Sequence, residues 1–330
     1  MPNNLNCLFP ASRDCLVYLG VAILLCFTLA LPHAASAQTC TMAGPTLTFG
    51  TLNPYSGATT TTSGNGTFTC SNSGTSSITI YACLSIGTGT GGTTPINRTL
   101  ASGASKIPIM IETGGSAGQV GNGTSYPMAG PISVTLTAGQ NTTTAFSIIS
   151  TVPPPSPAPP PGSYTSSFAG ADAQFIYAVR TSTTTCASLN SGTHQTTQAN
   201  FSISATVPTQ CSVSATAMAF PTASVLGNPV NTTATVSTTC NAAVPVTIAL
   251  DNGATGTGPT TRQMKSGANA ISYGIYRDAA ANLPWGNTSG TDTAALSSGT
   301  GTLTAYGRVP AQASPPPGSY SDIVNVIITY

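Results

Sequence analysis

The chain is 330 residues long, only 5% of them charged, with a formal net charge of +1. That length exceeds what one hydrophobic core serves and suits two domains of ordinary size. Lys and Arg are too few and too scattered for the clustered basic surface that nucleic acid requires, which excludes that class of partner.

Residues 1–37 read as a secretory signal: Arg13 in a polar stretch, an apolar run from Cys15 to Leu31, and a small-residue ending at Ala35-Ser36-Ala37. The run approaches the lower bound for a membrane span, but the small-x-small ending favours cleavage and a mature start at Gln38. Beyond it, Thr, Ser, Gly, Ala and Val dominate, a composition of strands joined by tight turns. Alternating or β-branched runs stand between Gly, Asn, Ser and Pro clusters, at Ser77 to Tyr81, Val244 to Leu250, Ile271 to Tyr276 and Ile323 to Tyr330. The spacing predicts sandwiches or barrels, with no helical periodicity after residue 37.

Cys40, Cys70, Cys83, Cys186, Cys211 and Cys240 follow the signal. An even number in an exported chain reads as a disulfide framework. Two loops of about 30 residues close Cys40 to Cys70 and Cys211 to Cys240, each contributing roughly 3–4 kcal/mol in the chain-entropy treatment. Cys83 and Cys186 are left to pair with each other. Metal binding is a poor rival, since no two Cys are close in sequence and only His194 could assist.

An internal repeat organises the chain. A Phe stands nine residues after the first Cys of each short pair, at Phe49 and Phe220. Asn97-Arg98-Thr99-Leu100 is echoed by Thr261-Arg262-Gln263-Met264, and Ser102-Gly103-Ala104 by Ser266-Gly267-Ala268. Pro159-Pro160-Pro161-Gly162-Ser163-Tyr164 recurs letter for letter at 315–320. Four matches in one order indicate two copies of one module.

Catalysis needs groups that hold or move protons near neutral pH. After residue 37 there are only His194, Glu112 and the five carboxylates of Asp172, Asp251, Asp278, Asp292 and Asp322. No Gly-x-Ser-x-Gly elbow or phosphate-cradling loop occurs. Asp278 and Asp322 fit turn or sheet roles, and His194 a solvated loop. A binding or assembly protein without enzymatic activity or cofactor is expected.

In the second copy, a spaced series runs from Cys211 through Phe220, Cys240, Arg262-x-Met264, Tyr273-x-x-Tyr276-x-Asp278 and Trp285-Gly286. It continues with Tyr306-Gly307, Gly318-x-Tyr320-x-Asp322 and the apolar strand Val324-x-Val326-x-Ile328-x-Tyr330. The series resembles the spore coat protein U domain, the subunit module of archaic chaperone–usher pili, over the whole of 208–330. The copy at 38–207 is similar but lacks the Trp-Gly pair, has Phe146 for the Tyr of Tyr-Gly, and carries a long extension after its hexapeptide.

The resemblance implies an all-β fold of two immunoglobulin-like sandwiches that lack their last strand. Each leaves an apolar groove, filled by an N-terminal strand from the next subunit, because an empty groove exposes core and unpaired backbone. A donor strand should therefore precede the first Cys of a module. Before Cys211 one is present, with Phe201, Ile203, Ala205 and Val207 on one face; before Cys40 stand only Gln38 and Thr39. The expectation is that 200–207 completes the first module within the chain. The second would be completed by a strand from another subunit, docking on Val324, Val326, Ile328 and Tyr330. A chain that accepts but does not donate would cap a fibre.

The implied arrangement is a signal at 1–37, an adhesin-type module at 38–207 and a pilin-type module at 208–330. Export would run through the periplasm to the cell surface, with a periplasmic chaperone, an outer-membrane usher and the next pilin subunit as partners. The end of the first module would attach to an abiotic or host surface and support biofilm. Expected adhesive loops are 112–131, with Val120, Tyr126, Pro127 and Met128, and 152–168, with Tyr164 and Phe168. The alternative is a structural shaft or coat subunit without adhesive function. A glycan hydrolase is opposed by the missing carboxylate pair and the single Trp285.

Overall fold

A computed structural model describes residues 38–95, 97–114, 118–124 and 126–330; the secretory signal expected at 1–37 lies outside them. The first part of the chain forms β1 (Gln38–Ala43), β2 (Leu47–Thr51), β3 (Thr60–Asn72), β4 (Ile78–Ile86), β5 (Arg98–Ser102) and β6 (Ser105–Thr113). There follow β7 (Ala129–Leu136), β8 (Asn141–Val152), β9 (Gly162–Phe168), a 3-10 turn at Gly170–Asp172, β10 (Ala173–Val179), helix α1 (Cys186–Ser191), β11 (Gln195–Gln198) and β12 (Phe201–Val207). The second part forms β13 (Cys211–Ala215), β14 (Val230–Cys240), β15 (Val246–Leu250), β16 (Arg262–Ser266), β17 (Asn269–Tyr276), β18 (Ala294–Leu296), β19 (Gly301–Val309) and β20 (Val326–Thr329).

Period-two patterning builds these strands. In β3, Phe68 and Cys70 point inward while Thr67 and Thr69 lie toward solvent, the alternation of a half-buried sheet. Outward threonines pair across strands, with Thr69 Oγ1 2.9 Å from Thr143 Oγ1 on β8. The sheet orders are β1-β3-β8-β6-β5-β9-β12-β2 against β11-β10-β4-β7, and β13-β14-β19-β17-β16 against β18-β15-β20. Buried apolar side chains fall into two large clusters with no shared member, one drawn from Cys40 to Val207 and the other from Leu226 to Val309. Around these cores the chain forms an N-terminal and a C-terminal unit.

The C-terminal unit has the A-B-E-D sheet of an immunoglobulin sandwich as β13-β14-β19-β17, and strands C and F as β15 and β20. Among the described residues no G strand lies beside β20. In the N-terminal unit β10 takes the place of F, and β11 pairs with its free edge.

Disulfides join Cys40 to Cys70, Cys211 to Cys240 and Cys83 to Cys186. The first two link directly opposed residues of neighbouring strands. The third pins α1, where sequence periodicity indicated no helix. Six residues are too few to show a period, and this turn is held by Thr185, whose side chain accepts from Ser188 N, together with Leu189 buried against Cys83, Met128 and Ile176.

Candidate functional site

The repeat aligns the two units. Hexapeptides 159–164 and 315–320 place β9 in correspondence with 318–324, and the Cys-to-Phe spacing places β2 in correspondence with 218–222. The local geometry repeats as well: Tyr164 Oη donates to Pro160 O at 2.7 Å, and Tyr320 Oη to Pro316 O at 2.7 Å. Whatever lies between β2 and β9 thus has a counterpart position between 218–222 and 318–324.

In the N-terminal unit that slot holds β12. It runs antiparallel to β9, with Phe201 opposite Phe168 and Val207 opposite Gly162, and parallel to β2, with Ile203 beside Leu47. Phe201, Ile203, Ala205 and Val207 are all buried, and Phe201 stacks on Phe168 with ring centroids 4.7 Å apart. Ser202 and Thr206 face outward. Burying a Phe, Ile or Val side chain contributes roughly 1.5–3 kcal/mol. The three large side chains of β12 together contribute roughly 5–9 kcal/mol, as much as the net stability of many domains.

In the C-terminal unit the same position is open. Among the described residues no strand pairs with 216–222 or 318–325 on the side that faces the slot; 318–325 touches β16 only through the Lys265–Ser321 bridge on its other side. Between them lie two adjoining cavities of about 540 and 570 Å³. Met218 and Phe220 line both; Val230 and Ile271 wall the first, and Leu250 and Ile275 the second. Leu47 and Phe49 are buried under β12, whereas their counterparts Met218 and Phe220 are only half-buried.

One buried arginine in each unit ties separate loops together. Arg98 Nε donates to Gly87 O at 2.7 Å, and its Nη2 to Ile86 O and Val120 O, both at 2.7 Å. Arg262 donates to Asp251 O at 2.8 Å, Pro259 O at 2.6 Å and Trp285 O at 2.9 Å. Burial lowers Arg98 to about 10 while Asp172 opposes the shift, so the guanidinium is cationic at neutral pH and bonds its carbonyls as a charged donor. Asp172 accepts from Thr88 N and Gly89 N. Asp322 accepts from Tyr273 Oη at 2.8 Å and Ala254 N at 2.9 Å, and burial, together with that bond, raises Tyr273. Asp278 closes a turn by accepting from Asn282 N and Leu283 N. These carboxylates bond main-chain and hydroxyl groups, and no three His, Cys, Asp or Glu side chains of the described residues gather as a metal site.

Most of the side chains expected to form the adhesive loops lie inside the unit. Val120, Met128, Tyr164 and Phe168 are buried, Tyr126 is half-buried and only Pro127 is exposed. Each has a specific reason to be inside. Val120 N donates to Ile111 O and its carbonyl receives Arg98, Met128 packs beneath α1, and Tyr164 and Phe168 belong to strand β9 facing the core. The two segments also diverge. β6 and β8 are antiparallel, with Met110 opposite Thr151 and Thr113 opposite Ile148; 114–128 therefore leaves one end of this pair and 153–161 the other. The proline stretch meets the C-terminal unit, where Asn241 Nδ2 donates to Pro159 O at 3.0 Å and Pro208 O at 2.9 Å.

Of the expected docking strand, Val326 and Ile328 lie on β20 and Val324 lines the groove, all three half-buried, whereas Tyr330 is 54% exposed. Sequence reasoning missed β11. Gln195-Thr196-Thr197-Gln198 carries no apolar alternation, and its only signal was position, directly before the apolar face of β12.

A comparison with curated proteins finds no match. Among solved structures, the CsuC–CsuE chaperone–tip adhesion subunit pre-assembly complex from archaic chaperone-usher Csu pili of Acinetobacter baumannii is similar at 16% identity. That match covers 88% of this chain and 100% of that one, with a TM-score of 0.44. The CupB6 tip adhesin of Pseudomonas aeruginosa is similar at 12% identity over 89% of this chain and 95% of that one, TM-score 0.32. The CooA pilin subunit of enterotoxigenic Escherichia coli matches 51% of this chain and 98% of its own at 11% identity, TM-score 0.25. A family model of the Spore Coat Protein U domain matches residues 25–170 and 197–327, most of the chain in two copies. The chain belongs to the Spore Coat Protein U domain family.

Proposed function

We propose that this chain is the tip subunit of a chaperone–usher pilus, with module one at 38–207 for attachment and module two at 208–330 for docking to the fibre. The observation that carries the reading is the unequal state of one slot in two copies of one module, filled by β12 in the first and empty in the second. An empty apolar slot flanked by unpaired main chain is a receptor for an extended strand. In this reading the periplasmic chaperone supplies that strand during export, the usher passes the subunit outward, and the next pilin supplies the strand in the fibre. Module one is closed by its own β12 and needs neither. Residues 38–43 are engaged as β1 on β3, so the segment around Cys40 is not free to donate.

Attachment to an abiotic or host surface, and the biofilm it supports, would then fall to module one. With the apolar side chains of 112–131 and 152–168 largely inside, its contact surface is the polar exterior, and the large apolar side chains exposed among the described residues all lie between Val225 and Tyr330. The test is made on cells. Antibody against module one should label fibre ends, and cells whose chain lacks 38–207 should still make fibres while losing surface attachment. Label along the whole shaft, or unchanged attachment, would favour the structural shaft or coat subunit instead.

A further inference from the structure

The N-terminal unit closes itself with two consecutive strands, of which only the second fills the groove. β11 pairs with β10 in one sheet, with Gln174 opposite Gln198 and Tyr177 opposite Gln195, and after Ala199-Asn200 the chain enters the other sheet as β12. Ala199 N donates to Ala173 O at 3.1 Å. Main-chain direction alternates along a strand, so Ala173, Phe175 and Tyr177 present their N–H and C=O groups to β11.

The same edge in the C-terminal unit has no paired strand among the described residues. Ala173 pairs with Ile86 and Val326 with Leu250, each partner standing twelve residues before its buried Arg; β20 is thus the counterpart of the start of β10. Asp251 N donates to Asn325 O at 3.1 Å. That turns Asn325, Ile327 and Thr329 toward β15, and leaves the main-chain groups of Val326, Ile328 and Tyr330 facing outward, where no strand of the described residues is paired. The side chains agree. Tyr177 is 5% exposed and receives Cys40 N on its hydroxyl, whereas its counterpart Tyr330 is 54% exposed, and Ile327 and Ile323 are 47% and 75% exposed.

We infer that the partner strand of module two is bipartite: about four polar residues that pair with the outer edge of β20, a two-residue crossover between sheets, and then the alternating apolar segment that fills the groove. This rests on the reading of the groove as a strand receptor and adds a second docking surface to it. The partner's recognition segment is thus some 13 residues long, the span of 195–207, and its leading third carries no apolar alternation. That third binds through main-chain hydrogen bonds, so it selects for extended, proline-free sequence.

The test uses the full chain and three synthetic peptides copied from its own closing strands: 195–208, 200–208, and 195–208 carrying Thr197→Pro, which removes the N–H opposite Phe175. We expect 195–208 to bind at least tenfold more tightly than 200–208 and to slow amide exchange at Val326, Ile328 and Tyr330. The Thr197→Pro peptide should fall back to the affinity of 200–208 and protect only 318–324. Equal affinity for all three, with protection confined to 318–324, overturns the bipartite strand and leaves the groove reading standing. Binding of none overturns the groove reading and the bipartite strand with it.

Discussion

Replacing Ile203 by Ala probes the closing strand where it is most deeply engaged. Ile203 is fully buried, opposite Ser166 on β9 and beside Leu47 on β2. The change removes three carbon atoms at about 0.8 kcal/mol each. Its neighbours belong to two paired strands that cannot collapse into the space, so a cavity cost is added and the total reaches about 3–4 kcal/mol. For a unit of this size each kcal/mol lowers Tm by roughly 2–4 °C, so the N-terminal transition should fall by about 6–16 °C. The C-terminal core does not contain Ile203, and its transition should stay within about 1 °C. Calorimetry of the full chain resolves both, and repeating it over a range of protein concentrations adds a control. β12 closes its own chain, so the shift should be independent of concentration. A loss below about 1 kcal/mol, equal shifts in both transitions, or a concentration-dependent N-terminal transition would refute the reasoning.

Tyr164→Phe and Tyr320→Phe each delete one 2.7 Å bond to a proline carbonyl. Each should cost about 0.5–1.5 kcal/mol, with the larger loss at fully buried Tyr164, and no loss at either position in denaturant melts would contradict the shared corner. Asp251 is held below the usual carboxylate range: burial works against its ionisation but is outweighed by bonds from the Asn325 side chain and from Gly253 N and Asn325 N, with Arg262 assisting. A folded value below the unfolded one, about 3.9, gives stability that is present at neutral pH and lost as pH falls through the folded value. Melts of the C-terminal unit should therefore weaken below about pH 4, and Asp251→Asn should flatten that decline; an unchanged acid slope would count against it. Removing the Cys83–Cys186 bridge by a double Ser substitution opens a closed loop of 103 residues and should cost about 2–5 kcal/mol. Proteolysis should then begin in 180–194, and a resistant α1 would show that Leu189 packing alone holds the helix.

What could be seen in the sequence was what repeats locally. The alternation of Phe201, Ile203, Ala205 and Val207 shows at period two, and its burial in the structure follows the same period. The Cys spacings match opposed residues on adjacent strands. The arginines at 98 and 262 stood out as an echo in a chain poor in charge, but their carbonyl partners lie 3 to 23 residues away, in two segments for Arg98 and three for Arg262, and could not be read from spacing. Several side chains of the expected adhesive loops lie inside for a thermodynamic reason. A loop position does not by itself expose an apolar side chain: Val120 and Met128 gain more from burial in their clusters than loop position takes away. β11 was invisible because edge pairing uses the main chain, which every sequence carries.

The central claim is that one slot is closed from within and its copy is open. Amide hydrogen exchange on the purified full chain tests it directly. Residues 162–168, paired with β12, should exchange slowly, at rates set by global unfolding of the N-terminal unit, whereas 318–324, apart from Ser321 whose N–H is bonded to Lys265 O, should exchange within seconds to minutes. Slow exchange at both positions in the isolated chain would contradict the account.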